Sequence, residues 1–94
     1  MNRHDSRLAA VQGMYSFEAA GQQNGADVLT FNWIEGAAED ELVFARLLLG
    51  GAIENLEQID SLIKSHLAPS WDFLRLNRVA LAILRISIYS VLYQ

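Results

Sequence analysis

Val79-Ala80-Leu81-Ala82-Ile83-Leu84-Arg85-Ile86-Ser87-Ile88-Tyr89-Ser90-Val91-Leu92-Tyr93 is apolar on nearly every side of a helical wheel. Val79, Ile83, Ile86 and Tyr93 cover one side, Ala80, Leu84, Ser87 and Val91 a second, and Leu81, Ile88 and Leu92 a third. Such a helix has to be surrounded by others. At 1.5 Å rise per residue it falls short of the roughly 20 residues that cross a hydrocarbon core, and its one charge, Arg85, sits near the middle. The stretch therefore reads as the central helix of a soluble bundle and not as a membrane span, with Asn77 as its cap.

The sequence upstream supplies the surrounding helices. Asn2 can cap a first helix whose apolar face is Leu8, Val11 and Tyr15 with Ala10, Met14 and Phe17, and Gly21 is placed to end it. Asp27 can cap a short helix carrying Val28, Leu29, Phe31, Trp33 and Ile34, closed by Gly36. Glu39-Asp40-Glu41 puts three acids in a first turn, where the helix dipole favours them. Apolar periodicity then runs through Leu42, Phe44, Leu47 to Leu49, Ile53 and Leu56, which predicts the longest helix of the chain. Gly50-Gly51 within it costs about 1 kcal/mol per glycine, which points to either a close helix crossing or a kink. Ile59, Leu62, Ile63 and Leu67 continue the stripe, with Asp60 either capping a fresh helix or bonded inside the bundle. Pro69 then breaks the pattern.

No segment alternates with period two and no internal repeat or low-complexity linker appears, so the fold class is all-α and residues 1–94 form one domain. With 52% hydrophobic and 19% charged residues, 94 residues can bury a core, though a thin one. The absence of cysteine removes disulfides, thiolate nucleophiles and Cys-based zinc sites, and together with an N-terminus unlike a secretory signal it predicts a cytoplasmic protein.

Catalytic chemistry is scarce. His4 and His66 are far apart in sequence and have no acidic or histidine partner at metal-ligand spacing, so they read as solvated or capping histidines. The carboxylates fall at helix starts and on solvent-facing surfaces, and Gly50-Gly51 lacks the following Lys-Ser or Lys-Thr of a phosphate loop. No enzyme, metal or cofactor is expected. Arg3 and Arg7 share a helix face with His4 beside them, a patch that can hold phosphates even though the chain carries a net charge of −4. Arg75, Arg78 and Arg85 make a second basic region, unless they complete the bundle with Asp60 or Asp72.

The phrase Ala10-Val11-Gln12-Gly13-Met14-Tyr15-Ser16-Phe17-Glu18, preceded by Arg3-His4-Asp5-Ser6-Arg7, resembles the opening helix of the NusB family of transcription antitermination factors. The resemblance continues through Leu48, Gly51, Ile59-Asp60, Ile63 and Leu67, then Trp71, Phe73, Arg75-Leu76, Arg78-Val79, Ala82-Ile83-Leu84-Arg85-Ile86 and Tyr89. It implies a small helical bundle that binds boxA-type RNA together with the ribosomal small-subunit protein known in this role as NusE, and joins an antitermination complex on RNA polymerase, notably in ribosomal RNA transcription. Arg3, His4 and Arg7 stand where the family's arginine-rich RNA-contacting motif stands. Tyr15 matches a tyrosine on the face that meets the ribosomal protein, its alternative being a packed core tyrosine, and Ala80 occupies a second partner-contact position.

The sequence departs from the family pattern at several places. The family often has an acidic residue at Ala80, a basic one at Leu81 and a glutamate at Ser90, and it is commonly basic at His4 and Asp5. Family members also continue past the Tyr89 region into further helices, so the resemblance implies a bundle lacking its last helices. Apolar burial is worth about 25 cal/mol per Å², and self-association as a homodimer through Ile83, Ile86, Tyr89 and Tyr93 is expected. Two other readings are a NusB-like RNA-binding module of a ribosomal RNA methyltransferase and a plain helical dimerisation module.

Overall fold

Small residues decide how closely the helices approach. A computed structural model describes residues 3–94. Among these the order is α1 (Arg3–Ala19), α2 (Gly25–Val28), α3 (Glu39–Glu54), α4 (Leu56–His66), a 3-10 turn (Phe73–Arg75) and α5 (Arg78–Tyr93), with no strand. The architecture is all-α, as the periodicity predicts. α1 packs against both α3 and α5, and α4 closes on α5. Ala9, Ala10 and Met14 of α1 meet Ala45, Leu48, Leu49 and Ala52 of α3 and Leu81, Ala82 and Ile86 of α5 in one core, with Ile59 and Ile63 contributed by α4.

Two glycines mark the tightest crossings. A Cβ at Gly13 would overlap the Leu49 side chain, and one at Gly51 would overlap the Tyr89 ring at its hydroxyl end. Of the two readings open for Gly50-Gly51, a close crossing is found at Gly51, against Tyr89 of α5.

The helix ends follow the local chemistry in part. The Asn77 side chain accepts from the backbone N–H groups of Val79 and Ala80 at 2.9 and 3.2 Å, capping α5. Gly21 takes φ +68° just past the end of α1, as its placement predicts. The cap assigned to Asn2 lies outside the described residues. α3 is not the longest helix: it has 16 residues against 17 in α1. It ends at Asn55, whose backbone N–H and side-chain amide both donate to the Gly51 carbonyl, at 3.0 and 2.8 Å, closing the last turn. The helix expected from Asp27 to Gly36 is also shorter. α2 stops at Val28, and Phe31 adopts φ +51°, a conformation rare for a bulky residue, while its ring is buried in the core. Burying that ring prevails over continuing the helix.

Arg85 is the buried cation of the fold, 2% exposed. Its Nε and Nη2 donate to the two Asp60 carboxylate oxygens at 2.8 and 2.7 Å, and its Nη1 donates to Glu18 Oε1 at 2.7 Å. One guanidinium thus joins α5 to α4 and to α1. Asp72, the other acid considered for this role, instead accepts from the Leu74 N–H in the 3-10 turn at 3.0 Å. Burial disfavours the charge on Arg85, but the hydrogen bonds it donates to Asp60 and Glu18, with their charge attraction, outweigh it and the pKa is raised. Ile86, assigned above to a self-association surface, points into the core because it follows Arg85 on the inward side of α5, and it is 2% exposed. No helix among the described residues is long and apolar enough to cross a membrane.

Three outcomes follow from this packing. Arg85→Ala leaves two acids facing an emptied buried site and should cost about 3–5 kcal/mol in denaturant unfolding. The Glu18 carboxyl is held below its ordinary value of 4.5, chiefly by the Arg85 hydrogen bond and against the opposing effect of burial. The unfolded chain therefore binds that proton at higher pH than the native one. The contribution of Glu18 is complete above its ordinary value and is lost as pH falls through the lower native value, so Glu18→Gln should flatten the acid side of a stability profile measured from pH 7 to pH 3. Gly51→Ala gains helix propensity but overpacks the crossing, for a net loss of about 1–2 kcal/mol. That loss should shrink in a Tyr89→Leu background.

Candidate nucleic-acid interface

The first two turns of α1 are pinned from below. Ser6, Ala9 and Ala10 face α3, and the buried Ser6 hydroxyl donates to the Glu41 backbone carbonyl at 3.3 Å. That anchoring turns Arg3, His4 and Arg7 outward, and all three are exposed. Arg3 and Arg7 converge on one aromatic ring: the guanidinium carbon of Arg3 lies 4.0 Å from the Phe44 centroid and that of Arg7 5.8 Å. Both distances are within cation–π range. Phe44 itself is half-buried on α3 and packs against the core. Among the described residues neither arginine has an ion pair.

The other cations are differently placed. Arg46 donates to the Leu29 carbonyl at 3.1 Å and pairs with Glu39 at 2.7 Å, which, with the charge attraction, holds the Glu39 carboxyl below its ordinary value. The second basic region seen in the sequence divides. Arg85 is internal, whereas Arg75 and Arg78 are exposed, and the charge of Arg78 adds a minor share to the lowering at Glu18 after that of Arg85. Lys64 sits 4.8 Å above the Phe73 ring. His66 Nδ1 lies 2.9 Å from the Leu62 carbonyl and 3.0 Å from the Ser65 hydroxyl, so the ring folds back on the last turn of α4. No group of three His, Cys, Asp or Glu among the described residues could hold a metal ion.

Tyr15 is 42% exposed on the outer side of α1, so the packed-core alternative does not hold. Leu8, two turns earlier, is also exposed, and Trp33 reaches the same helix through a 3.2 Å bond from its indole N–H to Gln12 Oε1. Ala80 is exposed in the first turn of α5. Ile83 and Tyr93 are exposed, while Tyr89 is half-buried between Gly51 and Tyr93, with the two tyrosine rings stacked at 5.1 Å. Between α4 and α5 lies an open apolar groove of about 510 Å³ lined by Leu62, Leu67, Leu84, Ile88, Val91 and Leu92. Phe44 and Glu18 are the two participants that sequence reading missed. Each works across a long sequence separation, which local spacing does not register.

The sequence that builds this site is similar to that of known proteins. A family model described as the NusB family matches residues 4–94. The chain belongs to the NusB family. A relative in Treponema pallidum (strain Nichols), Transcription antitermination protein NusB, is 40% identical over 98 residues, covering all of this chain and 67% of its own length. The protein of the same name in Carboxydothermus hydrogenoformans is 36% identical over 100 residues, covering all of this chain and 68% of its own. In Treponema denticola the figures are 35% over 97 residues, with 70% of the relative covered. This NusB-family chain thus spans about two thirds of the length of these relatives. No solved structure matches it significantly.

Proposed function

We propose that this chain is a transcription antitermination factor that acts by binding and not by catalysis, recognising boxA-type RNA together with the ribosomal small-subunit protein that serves as NusE within an RNA polymerase complex. The observation that carries the reading is the pair Arg3 and Arg7, exposed, without an ion pair among the described residues, and gathered over one ring in a molecule of net charge −4. Positive charge at a helix N-terminus opposes the dipole, so a phosphate brought to this corner relieves an unfavourable arrangement. His4 adds a ring-nitrogen donor next to the pair.

Tyr15 and Ala80 are the positions we assign to the ribosomal partner. An exposed tyrosine supplies rigid apolar area with a polar tip, the profile of an interface anchor. Ala80 supplies no charge, so the partner contact there is one of shape. Two arginines alone neutralise few phosphates, and a second bound surface converts two weak contacts into one useful affinity. The names carried by the relatives in Treponema and Carboxydothermus support the reading.

Fluorescence anisotropy of a labelled boxA-type RNA, titrated with this chain in the presence and absence of the ribosomal protein, tests the proposal. Partner-enhanced binding is expected, and Arg3→Ala/Arg7→Ala should lower the slope of log K against log salt by roughly 1.4, about 0.7 per single-strand phosphate contact. Binding that is unchanged in the double variant, or absent from a sample folded by circular dichroism, would overturn it.

A further inference from the structure

The ring beneath the two arginines has no role in the reading above. We propose that Phe44 is a positioning residue of the RNA site, holding Arg3 and Arg7 as one preorganised pair; the proposal rests on the RNA-binding reading of that patch. Two like charges four residues apart on a helix repel, and both oppose the dipole of α1. Left to themselves they would separate into solvent. The Phe44 face, 4.0 Å from one guanidinium carbon and 5.8 Å from the other, gives them a common point of attraction.

The ring is able to serve as a fixed platform because α3 holds it. Phe44 is partly buried against the core, and the start of α3 is tied to the start of α1 by the Ser6 to Glu41 hydrogen bond. A guanidinium attracted to an aromatic ring through its face keeps its N–H donors, which lie in its own plane, for the oxygens of a phosphate. Restricting the side chains before RNA arrives removes part of the ordering cost of binding. The effect falls on affinity and leaves the number of phosphates neutralised unchanged.

That separation is what the experiment reads. Phe44→Met keeps the side-chain volume and apolar packing while removing the aromatic face, and Phe44→Tyr restores the face. In the RNA titration, Phe44→Met should weaken binding about three- to tenfold at an unaltered salt slope, Phe44→Tyr should bind as the parent does, and Phe44→Met should have no further effect in the Arg3→Ala/Arg7→Ala background. Free of RNA, the Arg3 side-chain protons should show an upfield ring-current shift by NMR that Phe44→Met abolishes. Unchanged affinity in Phe44→Met while the parent chain binds would overturn the proposal alone, as would an absent ring-current shift. A loss of equal size in the arginine-free background would also overturn it, since the ring would then be touching RNA directly. Failure of the parent chain to bind RNA at all would instead overturn the reading on which the proposal rests.

Discussion

A guanidinium that is 2% exposed has to be matched by acids wherever it goes, and Arg85 is matched by acids on two other helices. Such a group is poor evidence of net stability, because taking the guanidinium out of water costs several kcal/mol, Asp60 and Glu18 are partly desolvated with it, and the attraction between them recovers that cost only in good geometry. Its importance lies in what it forbids. α5 is apolar on several sides, and hydrophobic burial alone would accept it in more than one rotation about its axis. With Arg85 turned away, either its charge would be buried without a partner, or it would reach solvent on the open side of α5 and leave Asp60 and Glu18 facing apolar side chains. The bidentate bond to Asp60 also sets the angle of α4 on α5, and the bond to Glu18 sets the end of α1.

The glycines and alanines act on the same problem from the other side. Gly13 against Leu49 and Gly51 against Tyr89 admit one close approach for each helix pair and no larger side chain. Ion pairing selects the rotation of α5, and the small residues select its distance. Together they fix α1, whose far end carries the proposed RNA site. Glu18 at one end of α1 is held by Arg85, and Ser6 near the other is held by the α3 backbone. The patch at Arg3 and Arg7 is therefore placed by contacts at both ends of a 17-residue helix.

Much of this was legible in the sequence, for reasons that particular residues make plain. The apolar run around Arg85, the acids at Glu39 to Glu41 and the cap at Asn77 are local signals, and local physics placed α3 and α5 close to where they lie. For Arg85 the sequence left Asp60 and Asp72 both open as partners, and only the fold decides between them, because Asp72 is taken up by the Leu74 N–H while Asp60 faces the guanidinium. What was not legible needed a competition between local and distant terms. The end of α3 at Asn55, with its side chain folded back on the Gly51 carbonyl, was not marked by a glycine or proline, and Phe31 leaves the helical region because the core needs its ring more than α2 needs another turn. The arginine pair was readable from its spacing on one helix, whereas Phe44 under it belongs to another helix, and no pattern in one segment reports a partner in the next.

The partition of positive charge carries the last step. Lysine and arginine together number seven, of which Arg85 is consumed within the core and Arg46 by Glu39 and the Leu29 carbonyl. Arg75 is exposed singly in the 3-10 turn, Arg78 stands near Glu18, and Lys64 rests over Phe73, which leaves Arg3 and Arg7 as the two cations gathered at one point. The chain thus meets a polyanion as an acidic body with a small cationic corner at the start of α1. A field of that shape orients an incoming strand more than it attracts it, because the repulsion of the remaining surface is relieved in one direction only. Affinity built on so few phosphates stays modest and salt-sensitive, and discrimination then depends on what else the bound strand touches. In the proposed function, a partner protein seated beside the corner would supply that second surface without adding charge to this chain. An acidic protein can in this way take part in RNA recognition while avoiding the non-specific binding that a broadly basic surface would bring.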